Sequence, residues 1–172
     1  MAVLPIQCYP AEVLTRRCDE VSVFDEKLSA LARDMVDTMY AAPGVGLAAP
    51  QVAVSQRLIV VDCAGNDEEP QLIIAVNPVI VARAGECCEE EGCLSVPGYN
   101  ASVKRSAWVQ VKYQDLHGAL VECEAEGLLA VCFQHEIDHL DGKLFVDRLS
   151  SLKRGMFRKK YKKILQEQQE SS

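Results

Sequence analysis

Apolar side chains recur at helical spacing in two stretches of this chain. The first stretch covers residues 25–41 and ends at Pro43-Gly44, a pair that rarely continues a helix. The second covers residues 126–141 and stops at Gly142. A third helix is predicted to begin near Ser150-Ser151, because serine side chains cap helix N-termini.

Short runs of mainly apolar residues predict strands between the first two helices. The runs are 57–62, 72–76, 79–82, 108–113 and 120–124. Turn signals such as Asn77-Pro78 and His117-Gly118 separate them, and the two runs that flank Asn77-Pro78 are predicted to pair as antiparallel neighbours. Strands and helices are segregated rather than alternating as β-α-β units, so the pattern predicts an α+β fold.

Size and composition are those of one ordinary globular domain. The chain has 172 residues, of which 49% are hydrophobic and 25% are charged. The longest apolar run, 128–133, has six residues, so we expect no membrane-spanning helix. No basic segment and no long apolar segment precedes Arg16, so we expect no signal peptide and a cytoplasmic location. The eight cysteines then indicate burial or metal binding rather than a disulfide framework.

Charge is unevenly distributed along the chain. Residues 151–172 contain seven Lys or Arg and two Glu, a net charge of +5, so the total of −7 leaves −12 on residues 1–150. This asymmetry predicts a single domain over 1–150 followed by a basic helical tail over 151–172. The tail is either a solvated helix or a contact surface for phosphate-rich nucleic acid.

The second predicted helix carries two histidines one turn apart, in the segment Gln134-His135-Glu136-Ile137-Asp138-His139. Residues i and i+4 share a helix face, so the two imidazoles can bind one metal ion. Leu128 and Cys132 continue that face, which we therefore expect to point into the core. Glu136 follows at about 100° around the axis, at the edge of the face, where it is suited to reach a water molecule rather than the ion.

A third metal ligand is expected upstream of this helix, in Glu91-Gly92-Cys93-Leu94-Ser95. Phe145 stands where a long metalloprotease motif would place a third histidine, and the polar C-terminal segment offers few acidic residues. A Cys93 thiolate with two imidazoles leaves one position open, which is typical of a catalytic site. The alternative is a closed structural site in which Cys87 or Cys88 joins them.

Three motifs, in this order along the chain, resemble those of peptide deformylases. They are Gly44-Val45-Gly46-Leu47-Ala48-Ala49-Pro50-Gln51, Glu91-Gly92-Cys93-Leu94-Ser95 and Gln134-His135-Glu136-Ile137-Asp138-His139. The resemblance covers essentially the whole chain, and the basic last helix is similar to that of the bacterial type with a C-terminal helix. It implies antiparallel or mixed sheets packed around the central helix with the HExxH motif, and further helices near both ends.

The resemblance implies a metal-dependent hydrolase that removes the formyl group from the N-terminal formylmethionine of nascent chains and releases formate. Residues 1–150 would then be its catalytic domain. The implied metal ligands are Cys93, His135 and His139. Glu136 would be the general base, and Gln51 and the backbone N–H of Leu94 would donate hydrogen bonds to the developing oxyanion.

The implied cofactor is one divalent metal ion, ferrous iron, for which zinc, nickel or cobalt can substitute. A formamide is stabilised by resonance, so its hydrolysis at neutral pH needs a strong nucleophile, which a metal generates from water. The implied partners are N-formylmethionyl nascent peptides and, through the basic helix, the ribosome near the peptide exit. No membrane and no sequence-specific nucleic acid are expected.

The resemblance also implies a cleft in which the peptide pairs like an added strand. The residues expected to line it are Val45, Gly46 and Gly92, with Leu128, Val131 and Cys132 around the methionine side chain. Two positions differ from those of some family members, because Asn100 stands where these members have a basic residue near the substrate and Glu89 stands where others have an apolar residue on the pocket rim. Arg105 is expected to pair with Glu91 and hold the Cys93 segment, as the family pattern suggests, although a solvated ion pair there would contribute little stability.

Two alternatives are kept, the second of them from a different functional class. A metalloprotease using the same helix would cleave internal peptide bonds and would take a third ligand other than Cys93. A non-catalytic ribosome-binding module with a structural zinc would keep its metal and its function after Glu136→Ala. A deformylase with the same substitution would keep its metal and lose nearly all activity.

Overall fold

The computed structural model describes residues 2–171. Met1, the first residue of the predicted domain 1–150, and Ser172, the last residue of the predicted tail 151–172, lie outside the described residues. The three α-helices of residues 2–171 are α1 (Glu26–Ala41), α2 (Gly127–Leu140) and α3 (Ser151–Glu170). The three predicted helices are therefore confirmed to within a residue at each predicted end. No helix in the described part of the chain has the length and hydropathy that crossing a membrane requires.

Seven strands form two sheets in this part of the chain. They are β1 (Gly46–Ala48), β2 (Leu58–Val61), β3 (Ile73–Ala84), β4 (Cys87–Cys93), β5 (Val96–Arg105), β6 (Trp108–Gln114) and β7 (Leu120–Glu126). The larger sheet has the order β1-β2-β3-β6-β7, and β4 pairs with β5 in a separate hairpin. Every pairing between these seven strands is antiparallel, which confirms the α+β class.

The middle of the large sheet is covered by helices on both faces, which explains why every position of β2 is apolar. Leu58 and Val60 pack into the cluster that includes α1. Ile59 and Val61 point to the opposite face and pack into the cluster that includes α2. The β4–β5 hairpin contacts the other side of α2, so the helix with the two histidines is buried at the centre of the molecule.

Capping groups fix where the helices begin and end. The Asp25 carboxylate accepts a hydrogen bond of 3.1 Å from a backbone N–H in the first turn of α1. Ser150 caps α3 in the same way, through a 3.3 Å bond from the N–H of Lys153. Beyond α2 the chain turns at Gly142, whose φ is +77°. A Cβ at this glycine would lie 2.5 Å from the carbonyl oxygen of Thr15, so no other residue fits without displacing backbone.

The two runs that flank Asn77-Pro78 belong to one continuous strand, β3, so the prediction that they pair with each other is wrong. Asn77 has a φ of +52°, and the pairing register against β6 shifts at this point, which is a β-bulge. The Asn77 side chain accepts a 2.8 Å hydrogen bond from the N–H of Val21 and donates one of 2.9 Å to its carbonyl. Bulges and turns use the same residue types, so the sequence signal does not distinguish them.

The β4–β5 hairpin was not predicted, because much of it is polar and residues 89–91 are three consecutive glutamates, which are uncommon in strands. Contacts with distant parts of the chain hold it instead. Val96 and Val103 of β5 pack into an apolar cluster with Phe157 and Tyr161 of α3. The hairpin thereby joins the last helix to the rest of the molecule.

Candidate active site

Three predicted ligand side chains converge where α2 passes the end of β4. One ligand atom from each of Cys93, His135 and His139 lies within 4.8 Å of the other two. Cys93 Sγ is 3.4 Å from Nε2 of His139, and the two imidazole centroids are 5.0 Å apart. One sulfur and two nitrogens at these separations fit a four-coordinate divalent transition metal with a fourth position for water or substrate.

The surroundings of the two imidazoles suit metal binding. His135 uses Nδ1 to contact a Glu91 carboxylate oxygen at 2.9 Å, which leaves its Nε2 for the cluster. Burial lowers the pKa of His139 well below its ordinary value. A neutral imidazole is the form that binds a metal ion, so His139 has the protonation state that metal binding requires.

A closed structural site is not formed here. Among residues 2–171, no fourth His, Cys, Asp or Glu joins the three donors. Cys87 Sγ lies 3.7 Å from the carbonyl oxygen of Ser106, and Cys88 is exposed. The alternative in which Cys87 or Cys88 completes the ligand set is therefore wrong.

A buried ion-pair network holds the Cys93 strand against α2. Arg105 donates two hydrogen bonds of 2.9 Å to Glu91 and one of 2.6 Å to Asp138. Arg148 donates a further 2.6 Å bond to the other oxygen of Asp138. The predicted pair of Arg105 with Glu91 is therefore confirmed, and because the Glu91 and Arg105 side chains are 5% and 4% exposed, it is a buried pair rather than a solvated one.

Hydrogen bonds within this network keep the Glu91 carboxylate ionised. Burial alone would raise the pKa of Glu91, but its hydrogen bonds with His135 and Arg105 lower it below the ordinary value. Glu91 is thus an ionised carboxylate that orients His135 through Nδ1. The sequence did not identify Asp138 and Arg148 as members of this ion-pair network. Asp138 lies inside the motif, three residues after His135, whereas no pattern marks Arg148.

Glu136 enters the site from α2, next to the backbone of β1. It is buried, and its Oε1 has no hydrogen-bond partner among the described residues. A Cβ on Gly46 would lie 2.5 Å from Glu136 Oε2, so a larger residue there would displace the carboxylate. Burial raises the pKa of Glu136 to about 7. A buried carboxyl with these properties is typical of a catalytic acid or base.

Gln51 lies in a 3₁₀ turn directly after β1, and hydrogen bonds fix its amide group. Its Oε1 accepts a 2.9 Å bond from the N–H of Ala48. Its Nε2 therefore faces the Ser95 hydroxyl at 3.0 Å and Cys93 Sγ at 3.7 Å. The structure thus brings an amide donor to the edge of the ligand cluster, and Leu94 lines the same cavity.

A cavity of about 640 Å³ opens beside these groups. Its lining includes all six residues predicted for the substrate cleft, namely Val45, Gly46, Gly92, Leu128, Val131 and Cys132. Leu128 is 55% exposed, so the expectation that it continues the buried face of α2 is wrong. The reason is that Leu128 borders the open cavity, whereas its neighbours Leu129 and Ala130 in the same turn pack against the sheet.

Comparison with known proteins agrees with this geometry. The family model of polypeptide deformylase matches residues 3–155 of the chain. The chain is 52% identical over 167 residues to a peptide deformylase of Syntrophobacter fumaroxidans, which covers 97% of this chain and 98% of the relative. The chain belongs to the peptide deformylase family. Peptide deformylases are metal-dependent, and in this member Cys93, His135 and His139 are the group suited to bind the metal.

Solved peptide deformylase structures share the fold over nearly the whole chain. A crystal structure of the Legionella pneumophila peptide deformylase superimposes with a TM-score of 0.88 at 52% identity, covering 97% of this chain and 98% of that one. The Ehrlichia chaffeensis peptide deformylase, in complex with actinonin, has a TM-score of 0.88 at 39% identity, covering 95% and 98%. The peptide deformylase fold therefore includes α1, α2 and most of α3 of this chain.

Proposed function

We propose that this chain hydrolyses the formyl group from the N-terminal formylmethionine of nascent polypeptides and releases formate. The observation that carries the proposal is the convergence of Cys93, His135 and His139 beside the unpartnered carboxylate of Glu136, at the wall of a cavity. Family membership supports the same activity. The metalloprotease alternative required a third ligand other than Cys93, and Cys93 lies in the cluster.

Cys93, His135 and His139 would hold one divalent ion, which we propose is ferrous iron in the cell. The thiolate and two imidazoles also accept zinc, nickel or cobalt, because these donors suit several divalent transition metals. When bound, the ion supplies Lewis acidity, which polarises a carbonyl group and lowers the pKa of water. The Glu91–His135 hydrogen bond occupies Nδ1, so Nε2 is the nitrogen with which His135 would hold the ion.

Glu136 would act as the general base and then as the general acid. Its Oε1 is free of hydrogen bonds within residues 2–171, so it can accept the proton of the attacking water. The same carboxylic acid then delivers this proton to the leaving amine of methionine. Gly46 leaves the space that the carboxylate needs for both steps.

Gln51 and the backbone N–H of Leu94 would stabilise the oxyanion that develops on the formyl oxygen. The Gln51 amide is already oriented by its bond from Ala48, so it needs no rearrangement as charge develops. One such preorganised donor contributes about 3 kcal/mol of transition-state stabilisation in other hydrolases.

The cavity would hold the N-terminal methionine. Leu128, Val131 and Cys132 would surround its side chain. In the larger sheet β1 is an edge strand, paired only with β2. Val45 and Gly46 at this edge, with Gly92 opposite, would bind the peptide backbone as an added strand.

Formate release from formyl-Met-Ala-Ser under anaerobic conditions tests the proposed function. Wild-type protein should release formate, and Glu136→Gln should retain its metal while losing nearly all turnover. Glu122→Gln, an exposed position on β7, is the matched control and should be fully active. Metal analysis of each sample separates loss of the general base from loss of the ion. A metal-loaded wild type that releases no formate would disprove the activity.

Actinonin binding gives a second test that needs no turnover. The Ehrlichia chaffeensis relative was crystallised in complex with actinonin, and we propose that this chain binds it in the cavity beside the metal ligands. Actinonin should then raise the melting temperature of the metal-loaded protein. Cys93→Ser should weaken this stabilisation, whereas Cys123→Ser on β7 should leave it unchanged.

We propose further that α3 contacts the ribosome near the peptide exit, in the cytoplasm where nascent chains emerge. Lys159, Lys162 and Lys163 are exposed on α3, whereas Phe157 and Tyr161 are buried. Deleting residues 151–172 would therefore damage the core as well as remove the charges. Reversing the three lysines to glutamate is the cleaner change, and it should weaken cosedimentation with ribosomes in a salt-dependent way. Unchanged cosedimentation would contradict the docking proposal without affecting the hydrolase.

A further inference from the structure

Two cysteines that are not among the proposed reacting groups lie in direct contact at the wall of the cavity. Cys63 follows the end of β2, and Cys132 lies in the second turn of α2. Their sulfur atoms are 3.1 Å apart, although 69 residues separate them in the sequence. Both are free thiols, and within residues 2–171 no other pair of cysteine sulfurs is in hydrogen-bond contact.

Small solutes can reach the pair from the cavity, and hydrogen bonds hold the chain segment that carries Cys63. Cys132 is 5% exposed and lines the cavity, so a small solute that enters the cavity can reach its sulfur. Cys63 is half-buried and packs against the same apolar cluster as Cys132. The Asp62 side chain accepts hydrogen bonds from the backbone N–H groups of Ala64 and Gln71, which anchors the segment after β2.

We infer that Cys63 and Cys132 form an oxidisable dithiol in the wall of the cavity, which a peroxide converts to a disulfide. The sulfurs must approach by about 1 Å to reach disulfide bonding distance. Rotation of two cysteine side chains provides such a movement without a change of fold.

One molecule of hydrogen peroxide is sufficient to oxidise the two thiols to a disulfide. The Cys63 thiolate attacks one peroxide oxygen, the O–O bond breaks, and Cys63 becomes a sulfenic acid while the departing hydroxide takes up a proton. The Cys132 sulfur then attacks the Cys63 sulfur, the S–O bond breaks, and a second water leaves. Two thiols lose two electrons and two protons, and one peroxide becomes two waters.

Cys63 is the better first nucleophile of the two. It is more exposed than Cys132, and its hydrogen-bond contact with Cys132 lowers the pKa of Cys63. The same contact is the main cause, and burial the second cause, of a raised pKa at Cys132. Cys132 is therefore suited to the second step, in which a neighbouring thiol resolves the sulfenic acid.

A disulfide at this place would change the methionine pocket, a consequence that rests on the proposed function. Cys132 lies one turn before Glu136 on α2, and β2 is paired with β1, where Gly46 adjoins Glu136. Joining the two sulfurs withdraws the Cys132 side chain from the pocket wall and ties α2 to the end of β2. We expect the KM for formyl-Met peptides to rise several-fold and kcat to change less, because the reacting groups are not modified.

The test treats zinc-loaded protein with one equivalent of hydrogen peroxide, since zinc has no redox chemistry of its own. The thiol count of the unfolded, metal-free product should fall from eight to six. Trypsin leaves Cys123 and Cys132 on one peptide, so digestion with both trypsin and a glutamate-specific protease is needed. Mass spectrometry should then find peptides 58–68 and 127–136 joined by a disulfide that dithiothreitol releases.

Two variants control this experiment. Cys63→Ser should have normal activity before oxidation and should give no joined peptides, whereas Cys123→Ser should form the disulfide as the wild type does. A disulfide to Cys93, or a Cys132 or Cys63 oxidised to a sulfinic acid without the joined pair, would overturn the inference. An unchanged KM in the joined protein would overturn its effect on the pocket. Since the mass readout needs no turnover, an inactive enzyme would count only against the proposed function.

Discussion

The Glu91 carboxylate lies 2.9 Å from Nδ1 of His135, and its two oxygens also accept both hydrogen bonds of the Arg105 guanidinium fork. A ligand on α2 is thus oriented by a residue of β4, the strand that also supplies Cys93. The metal site and the packing of the hairpin onto α2 therefore depend on the same buried charges.

Glu91→Gln should weaken metal binding without removing a metal ligand. The neutral amide holds His135 less firmly and leaves the Arg105 charge only partly compensated. Substitutions of this kind lower metal affinity by about 10–100-fold. Chelator competition against the loaded protein measures the change, with Glu90→Gln, an exposed neighbour on β4, as the control. Equal metal affinity in Glu91→Gln and wild type would show that the carboxylate does not support His135.

Gly46→Ala should abolish most activity while leaving the metal in place. The new Cβ would lie 2.5 Å from Glu136 Oε2, so the carboxylate must shift from its present position. A displacement of about 1 Å at a catalytic group costs on the order of 10²-fold in rate. Gly65→Ala is the matched control, because its Cβ would be 3.6 Å or more from the atoms around it. Steady-state kinetics with full kcat in Gly46→Ala would contradict the placement of Glu136.

Gln51→Leu should lower kcat about 10²–10³-fold with a smaller effect on KM, since the lost donor acts on charge that develops in the transition state. Leucine has a similar volume, but it also leaves the Ala48 N–H and Ser95 hydroxyl without their partner. Thermal unfolding should therefore be measured beside the kinetics. Gln71→Leu, at an exposed position, controls for loss of an amide. A normal kcat in a folded Gln51→Leu protein would remove Gln51 from the oxyanion site.

The cluster of proposed site residues was predictable because their spacing leaves a local pattern. His135, Glu136 and His139 lie within five consecutive residues of one helix, so helical geometry alone brings their side chains together. Cys93 was identified by its flanking glycine and by the need for a third ligand, and the structure places it in the cluster. Such short-range spacings can be recognised in a single sequence.

Contacts between distant parts of the chain left no such pattern. Arg148 reaches Asp138, and Cys63 reaches Cys132, only after the chain has folded. The β4–β5 hairpin was missed for the same reason, since Glu91 is stabilised in a strand by its buried partners rather than by its own preference. At Asn77 the sequence instead predicted a turn that is absent, because a bulge inside one strand uses the same residue types as a turn.

Charge at the cavity mouth should favour basic substrates. Glu89 is exposed, lines the cavity, and has no ion-pair partner among residues 2–171, and no Lys or Arg lies in the described lining. Formyl-Met-Lys peptides should therefore have a higher kcat/KM than formyl-Met-Glu peptides. An exposed ion pair of 0.2–1 kcal/mol corresponds to a preference of roughly 1.5–5-fold. Glu89→Gln should reduce this ratio, and so should added salt. A ratio that neither change affects would show that Glu89 does not contact the peptide.

The coordination of the metal is the most direct test of the whole account. X-ray absorption at the zinc edge of the zinc-loaded protein should show one sulfur at about 2.3 Å and two imidazole nitrogens at about 2.0–2.1 Å. Cys93→Ser should remove the sulfur contribution, whereas Cys87→Ser should leave the spectrum unchanged. A spectrum with two sulfurs, or with none in the wild type, would contradict a site built from Cys93, His135 and His139.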